Sequence, residues 1–311
     1  MGKKVRVATF GLNKNAVLGK TQEQMLALVL EKVESVRGYK PDLICFPELF
    51  LENGGDMSNP NWKELSRMAI EQLQKKAHEM QCWIAACVYE PVPEQPTMRY
   101  NTLFLIDRLG LIAGKYRKVH TVVEETQNNH ALPGKEPVVV VDTDFGRVGL
   151  QICFDIGWRR TWAELAKKGA QLVIWASDYD GGNLLNTYAA HNMYYIVSAV
   201  RSEHAKIVDL TGRTVAEGTR WNGLAMATID LETTLFHTDR QYQKIDAIRT
   251  KLGDKVTIHT YAEENVFTIE SNDEQWPVSR ICEEFELMPY REYHEEATRF
   301  QNRMRELYPT K

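Results

Sequence analysis

Short apolar runs alternate with longer amphipathic stretches along this chain, and this alternation limits the folds open to it. Residues 21–38 and 62–80 repeat their apolar positions about every 3.6 residues, as surface helices do. The runs between and after them are strand-sized. Glycine-containing turns that join neighbouring runs into hairpins lie at residues 109–110, 144–146 and 211–212. The pattern predicts one α/β domain, rich in strands and hairpins, over residues 1–235.

The last quarter of the chain, residues 236–311, has a different character. It is more charged, and it contains a predicted strand pair in "VTIHTYAEENVFTIES" and a long polar helix in "YREYHEEATRFQNRMREL". Its composition indicates that it is too polar to form an independent core of good size. We therefore expect a C-terminal extension that packs on the first domain or on a partner subunit.

Charge and cysteine usage exclude several classes of protein. The net charge of −4 favours neither a nucleic acid nor an anionic membrane as partner. The apolar runs fall far short of the roughly 20 residues that a membrane span needs. The five cysteines form no CxxC pair, which is typical of free thiols in a reducing compartment. With a strand predicted almost at the N-terminus and no signal peptide, we expect a cytoplasmic protein.

Three apolar strands each end in a reactive polar residue. "LICFPELF" presents Glu48, "GKYRKVH" presents Lys118 and "LQICFD" presents Cys153. A thiol with a pKa near 8.5 is mostly protonated at neutral pH and needs a base or a cation to act as a nucleophile. A carboxylate can serve as that base, and a lysine can stabilise the oxyanion that forms. Cys45 and Cys87, in other apolar runs, are interpreted as core residues.

In this order and together, "FPEL", "GKYRKVH" and "ICFD" resemble the motifs of the nitrilase superfamily of carbon–nitrogen hydrolases. The resemblance is closest to the amidase and carbamoylase branch and covers about residues 4–232. It implies a four-layer α-β-β-α sandwich that is usually dimerised, so we expect a homodimer or a higher homo-oligomer. It also implies a site that needs neither a metal nor an organic cofactor.

The same resemblance implies catalytic roles. Glu48 is the expected general base, Lys118 the oxyanion stabiliser and Cys153 the nucleophile. Many members of the superfamily carry a second glutamate shortly after the lysine. Here Glu125 is the preferred candidate, and Glu124 is the alternative.

Candidate substrate-binding residues lie close to the nucleophile and in one later loop. The backbone N–H of Phe154 is implied as a second oxyanion donor, and Trp158 is a candidate for the pocket wall. Family members place substrate-contacting residues in the loop that corresponds to "WASDYDGG". Asp178 and Tyr179 are therefore candidates for binding a polar or cationic group. Capping of the next helix, or a surface turn, is the alternative interpretation of this loop.

The predicted function is hydrolysis of an amide or N-carbamoyl bond in a small molecule, through a thioester on the cysteine. A nitrilase acting through a thioimidate, an acyltransferase using the same thioester, and a catalytically inactive binding protein are the alternatives. In nitrilase branches Trp usually follows the nucleophile, and a Glu commonly follows that Trp. Phe154 and Asp155 occupy those positions here, which favours an amide or N-carbamoyl substrate over a nitrile.

Overall fold

The computed structural model describes residues 4–55 and 59–308. These divide into two compact units, Val5–Ile229 and a smaller one that comprises Lys4 and residues 230–308. The strands are β1 (Lys4–Phe10), β2 (Leu43–Cys45), β3 (Trp83–Val92), β4 (Gln95–Ile106), β5 (Ile112–Arg117), β6 (Val139–Asp142), β7 (Arg147–Ile152), β8 (Leu172–Ser177), β9 (Tyr195–Val200), β10 (Lys206–Val208), β11 (Thr214–Glu217), β12 (Leu224–Asp230), β13 (Thr234–His237), β14 (Val256–Tyr261) and β15 (Val266–Ser271). The α-helices are α1 (Lys14–Val17), α2 (Gln22–Ser35), α3 (Trp62–Met80), α4 (Val123–Gln127), α5 (Arg159–Lys167), α6 (Gly182–Asn192), α7 (Ile245–Leu252), α8 (Val278–Phe285) and α9 (Tyr290–Leu307).

Two six-stranded sheets form the centre of the larger unit within the described residues. Their strand orders are β12-β1-β2-β3-β4-β5 and β11-β10-β9-β8-β7-β6. In the first sheet β1, β2 and β3 are parallel, and β4 and β5 continue as antiparallel hairpins. In the second, β7, β8 and β9 are parallel, with antiparallel β6 and β10 on either side. The active-site motifs follow β2, β5 and β7.

Helices cover the outer face of each sheet. Residues of α2 and α3, such as Met25 and Leu73, share one apolar cluster with the first sheet. Residues of α5 and α6, such as Trp162 and Leu185, share another with the second sheet. Between the sheets, the buried hydroxyl of Thr9 donates to a backbone carbonyl of β9 at 2.7 Å. The result is the predicted four-layer α-β-β-α sandwich, which is confirmed.

Two details near the motifs differ from the predicted elements. The strand predicted to run through "ICF" ends at Ile152, and Cys153–Gly157 form a tight 3₁₀ turn instead. The loop after Lys118 contains the short helix α4, which carries Glu125. The first change moves Cys153 off regular strand structure and onto a turn, and the second places Glu125 on a helix.

The smaller unit has a buried apolar cluster of its own. That it is too polar for an independent core of good size stays a prediction. Strands β13, β15 and β14 form an antiparallel sheet, and α7 and α8 share a buried cluster with it. The apolar residues are spread thinly over short elements, and for that reason the average composition hides them. Helix α9 has no buried residue. Whether this unit packs on the sandwich or on a partner subunit stays a prediction.

None of the helices in the described parts of the chain combines the length and apolarity required to cross a lipid bilayer.

Candidate active site

The three predicted catalytic residues lie just past the ends of strands from both sheets. Glu48 follows β2 and Lys118 follows β5 in the first sheet, whereas Cys153 follows β7 in the second. All three are nearly inaccessible, with exposed fractions of 3%, 2% and 6%. Burial of two charged groups and a thiol together requires that each has a partner.

Lys118 pairs with two carboxylates. Its Nζ donates to Oε1 of Glu48 at 2.8 Å and to Oε2 of Glu125 at 2.7 Å. Burial alone would lower the pKa of Lys118, but the negative charges of Glu48 and Glu125 raise it above its ordinary value. The lysine is therefore a permanent cation at neutral pH.

Asn101 reinforces the same arrangement. Its Nδ2 donates to Glu48 Oε1 at 2.7 Å and to Glu125 Oε1 at 3.0 Å, and its Oδ1 accepts from the thiol of Cys87 at 3.1 Å. By contrast, Oε2 of Glu48 is shielded from solvent and has no hydrogen-bond partner within residues 4–55 and 59–308. One oxygen of this carboxylate is thus fixed, and the other remains able to accept a proton.

Cys153 adopts a strained backbone conformation. Its φ of 44° lies in the left-handed region, which costs a non-glycine residue about 1–3 kcal/mol. The indole of Trp175 donates to the Cys153 carbonyl at 3.1 Å and helps to hold this turn. Burial raises the pKa of the Cys153 thiol to about 12, and the charge of Glu48 adds to that effect. Lys118 and hydrogen bonds with Ser177 and the Asp178 backbone lower the pKa, but by less. The resting residue is therefore a neutral thiol.

A fully buried carboxylate, that of Asp155, ties the nucleophile's turn to the segment after Lys118. It accepts hydrogen bonds from the Tyr116 hydroxyl at 2.8 Å, the His120 backbone N–H at 2.9 Å and the Ile152 N–H at 3.3 Å. The Nδ1 atom of His120 also lies 2.7 Å from this carboxylate. These bonds fix the ends of β5 and β7 relative to each other.

The structure distinguishes the two glutamates that follow the lysine. Glu125 is buried beside Lys118 and also accepts from the backbone N–H of Val122 at 3.0 Å, whereas Glu124 is exposed. The loop closes at Gly134, whose N–H donates to the Lys118 carbonyl at 2.8 Å. A Cβ at Gly134 would lie 2.3 Å from the carbonyl oxygen of Arg117, so only glycine permits this approach.

Two aromatic rings next to the nucleophile remain open to solvent. Phe154 and Trp158 are each 40% exposed, and their rings meet edge to face at 5.2 Å. Trp158 also stacks on the His120 imidazole at 3.7 Å, which holds its ring in one orientation. Contact of these rings with a substrate stays a prediction.

The loop predicted to bind a polar group places its two candidates differently. The carboxylate of Asp178 pairs with Lys14 at 2.6 Å and with Arg201 at 3.2 Å. Arg201 Nε in turn donates to the Glu48 carbonyl at 2.7 Å, so Asp178 supports the base indirectly. Burial, and then the Glu48 carboxylate, raise the pKa of Tyr179 to about 12. Its hydroxyl therefore stays protonated at neutral pH.

The sequence interpretation missed Asn101 and Arg201 and treated Cys87 only as a core residue. A polar amide inside the otherwise apolar run "YNTLFLI" is the signal that points to Asn101. Arg201 follows the apolar run "YIVSAV", as the predicted catalytic residues follow theirs. Among the described residues, no group of three or more His, Cys, Asp or Glu side chains is arranged to hold a metal ion.

Comparison with known sequences gives a consistent result. A family model described as carbon-nitrogen hydrolase matches residues 6–235. The chain is 24% identical over 235 residues to a protein named deaminated glutathione amidase from Dictyostelium discoideum, covering 65% of this chain and 81% of that protein. It is 28% identical over 162 residues to the protein of the same name from Rattus norvegicus, covering 44% of this chain and 50% of the other.

Solved structures share the fold. An amidase from Nesterenkonia sp. is 22% identical with a TM-score of 0.63, over 73% of this chain and 90% of that one. The NitFhit protein of C. elegans is 21% identical with a TM-score of 0.64, over 81% of this chain and 64% of that one. Because the family model spans most of the sequence, and the fold agrees with it, the chain belongs to the carbon–nitrogen hydrolase family, within the nitrilase superfamily.

Proposed function

We propose that this protein is a cofactor-independent amidase that cleaves the C–N bond of a small amide or N-carbamoyl compound. Glu48, Lys118 and Cys153 carry the reaction, and Glu125 holds the lysine in place. The observation that supports this most directly is the asymmetry of the Glu48 carboxylate. Its Oε1 is held by Lys118 and Asn101, while its Oε2 has no partner among the described residues. A protonated thiol next to a carboxylate with one free oxygen is a nucleophile–base pair.

Acylation begins as Oε2 of Glu48 takes the thiol proton and Sγ of Cys153 bonds to the carbonyl carbon. The carbonyl π electrons move to oxygen, and the resulting oxyanion is stabilised by the ammonium of Lys118 and the backbone N–H of Phe154. As the oxyanion collapses, the C–N bond breaks. Glu48 returns its proton to the departing nitrogen, so that ammonia or an amine leaves and a thioester remains.

Deacylation uses the same groups in the same order. Glu48 takes a proton from water while the water oxygen bonds to the thioester carbon. A second oxyanion forms next to Lys118 and then collapses, which breaks the C–S bond. The sulfur of Cys153 recovers the proton from Glu48, and the product acid leaves. Each proton that Glu48 accepts is released within the same half-reaction.

Several features favour amides over nitriles. Phe154 and Asp155 follow the nucleophile where nitrilase branches usually carry Trp and Glu. The relative from Dictyostelium discoideum is named an amidase. A variant of the amidase from Nesterenkonia sp. AN1 has been solved in complex with butyramide, and another carries an acetamide moiety on its active-site cysteine.

The test is ammonia release from a panel of simple amides, ω-amides, carbamoyl amino acids and nitriles of matched side chain. We expect at least one amide or carbamoyl compound to be hydrolysed with a kcat/KM at least a hundredfold above that of its nitrile. Intact-mass spectrometry after rapid quenching should show an acyl adduct on Cys153. Cys153→Ala should abolish turnover. Cys45→Ala, which changes a buried thiol at the end of β2, should retain it. Nitrile turnover with no amide consumed, or an active Cys153→Ala enzyme, would overturn the proposal.

A further inference from the structure

Arg99 is a cation whose charge the described protein does not neutralise. Its side chain is partly buried, and its Nε atom is shielded from solvent without a hydrogen-bond partner. Within residues 4–55 and 59–308 no carboxylate lies within ion-pairing distance of it. Its guanidinium lies instead between two nearly perpendicular rings. The Cζ atom is 4.7 Å from the ring centroid of Trp62 and 4.5 Å from that of Tyr89. The rings fix the position of the guanidinium but leave its in-plane N–H donors unused.

The hydroxyl of Tyr89 is a second buried polar group without a partner in the described chain. Tyr89 as a whole is only 1% exposed. Burial raises the pKa of this phenol above its ordinary value, so the hydroxyl remains a hydrogen-bond donor at neutral pH. A buried hydrogen-bond donor without an acceptor is unfavourable until a partner binds to it. Two such groups side by side indicate a site that a ligand completes.

Backbone contacts fix Arg99 relative to the catalytic centre. Arg99 lies two residues before Asn101 on β4, and alternate residues of a strand share a face. Asn101 is the residue that donates to both Glu48 and Glu125. Two residues of strand place Arg99 about 7 Å further along that face. Its backbone also pairs with the loop after α4, since the Arg99 N–H donates to the His130 carbonyl at 3.1 Å.

The neighbouring acids are otherwise engaged. Glu125 pairs with Lys118. Glu52, which acts electrostatically on Tyr89, accepts a hydrogen bond from the neutral amide of Gln22 and forms no ion pair with Arg99 in the described parts of the chain. The cation of Arg99 is thus the group near the site whose charge awaits a counter-ion. The edge of a guanidinium matches the geometry of a carboxylate, which accepts two parallel N–H bonds from it.

We propose that Arg99 and Tyr89 form an anion subsite that binds a carboxylate at the end of the substrate remote from the scissile amide. The inference rests on the amidase function proposed above and narrows its substrates to amides that carry a terminal carboxylate a few bonds from the carbonyl. Bound in this way, the substrate is oriented by its charged end while its amide lies at the thiol of Cys153.

The test compares amides that differ only in their far end. Succinamate, glutaramate and adipamate are matched by butyramide, pentanamide and hexanamide, in which a methyl group replaces the carboxylate. For the wild type we expect one carboxylate member to exceed its neutral partner by at least thirtyfold in kcat/KM. In Arg99→Met this ratio should fall towards one, mostly through KM, because the charge that anchors the carboxylate is lost. Arg99→Lys should restore part of the ratio, and Tyr89→Phe should lower it less.

Controls separate this inference from the amidase function. Arg67→Met removes an exposed arginine of α3 that pairs with Glu64 and Glu71, and it should keep the wild-type ratio. Calorimetric titration of Cys153→Ala with glutaramate, with and without Arg99→Met, measures binding in the absence of turnover. Neutral amides hydrolysed as well as carboxylates, or a ratio unchanged in both Arg99→Met and Tyr89→Phe, would overturn the subsite while the amidase stands. Absence of turnover on every amide and carbamoyl compound would overturn the amidase itself. If Arg99→Met does not fold, the subsite is tested by the ratio of kcat/KM values in the wild type and in Tyr89→Phe.

Discussion

Cys153 enters the proposed reaction as a neutral thiol, and this distinguishes the site from cysteine enzymes that maintain a thiolate next to a cation. Lys118 does lower the thiol pKa, but burial and the charge of Glu48 outweigh it. The lysine is itself engaged by two carboxylates, so little of its charge is left to stabilise a thiolate. Proton transfer to Glu48 must therefore accompany attack on the substrate.

A pH profile of thiol labelling tests this state of the nucleophile. With a pKa of about 12, the thiolate fraction of Cys153 should rise about tenfold per pH unit between pH 7 and 10. Labelling by methyl methanethiolsulfonate, followed by peptide mass mapping, should rise with the same slope. Glu48→Gln removes a charge that raises this pKa, so its profile should shift to lower pH. Glu124→Gln, at an exposed glutamate, should not shift it. A wild-type rate already constant above pH 7 would contradict a neutral thiol.

Asn101 supplies a second prediction. Asn101→Leu keeps the side-chain size but removes the donor to both glutamates. Hydrogen bonds to charged groups contribute about 1.5–3 kcal/mol, so we expect kcat to fall about 10- to 100-fold. Cys87→Ala removes only the thiol that donates to Asn101 and should cause a smaller loss in the same steady-state assay. Asn101→Leu activity within twofold of the wild type would show that Lys118 alone positions the carboxylates.

The reactive residues could be predicted from sequence, whereas their supports could not. Glu48, Lys118 and Cys153 each end an apolar run, so their neighbours along the chain mark them. Asn101 reaches Glu48 across 53 positions, and Arg201 reaches the Glu48 carbonyl across 153. Contacts over such separations depend on how strands are ordered in the sheets, which local periodicity does not specify.

At the scale of elements, the 3₁₀ turn Cys153–Gly157 depends on one buried acid. Asp155 accepts hydrogen bonds from three groups on two strand ends. An asparagine at this position has only one oxygen that accepts hydrogen bonds. Its NH₂ group would face an N–H or O–H donor that now bonds to the second carboxylate oxygen. At least one buried donor would then lose its acceptor.

We therefore expect Asp155→Asn to destabilise the protein by about 2–3 kcal/mol, which corresponds to a fall in Tm of roughly 5–10 °C. Because the turn holds the left-handed backbone of Cys153, kcat should fall with it. Calorimetry and steady-state kinetics on the same preparation measure both. Asp142→Asn is the matched control, since that carboxylate is 81% exposed at the end of the neighbouring strand β6. Equal effects in the two variants would contradict the role given to Asp155.

The element pattern was largely predictable for the sandwich and less so for the smaller unit. Residues 62–80 form α3 over the predicted range, and the three predicted hairpins in the sandwich are present. Strand β13 and helix α8 were not predicted. Each is short, and a run of four or eight residues carries too few apolar repeats to establish a period.

At the scale of the whole molecule, the last helix leads to a prediction about assembly. Helix α9 exposes Phe300 and Leu307, at 64% and 60%, on one stripe of an otherwise charged surface. Apolar groups arranged in this way are typical of a helix that needs a surface to cover them. We expect that surface to be the sandwich or a partner subunit, in a homo-oligomeric enzyme.

Deletion of residues 232–311 tests this expectation and leaves β12 intact. The truncated chain should aggregate or dissociate into smaller species, because we expect the smaller unit to cover an apolar surface of the sandwich or of a partner subunit. Light scattering coupled to size-exclusion chromatography measures the change. A truncated protein with the same number of subunits and full amidase activity would show that the smaller unit has no part in assembly.

Because the catalytic groups are distributed over two sheets, the rate of turnover is sensitive to the relative position of the sheets. Glu48 and Lys118 belong to one sheet and Cys153 to the other, and a displacement of about 1 Å between reacting groups can cost a hundredfold in rate. Slight sliding of one sheet over the other leaves every strand intact but separates the thiol from its base. In a urea titration, amide hydrolysis should therefore decline at lower denaturant concentration than far-ultraviolet circular dichroism. The enzyme would lose its amidase activity while its secondary structure is still complete.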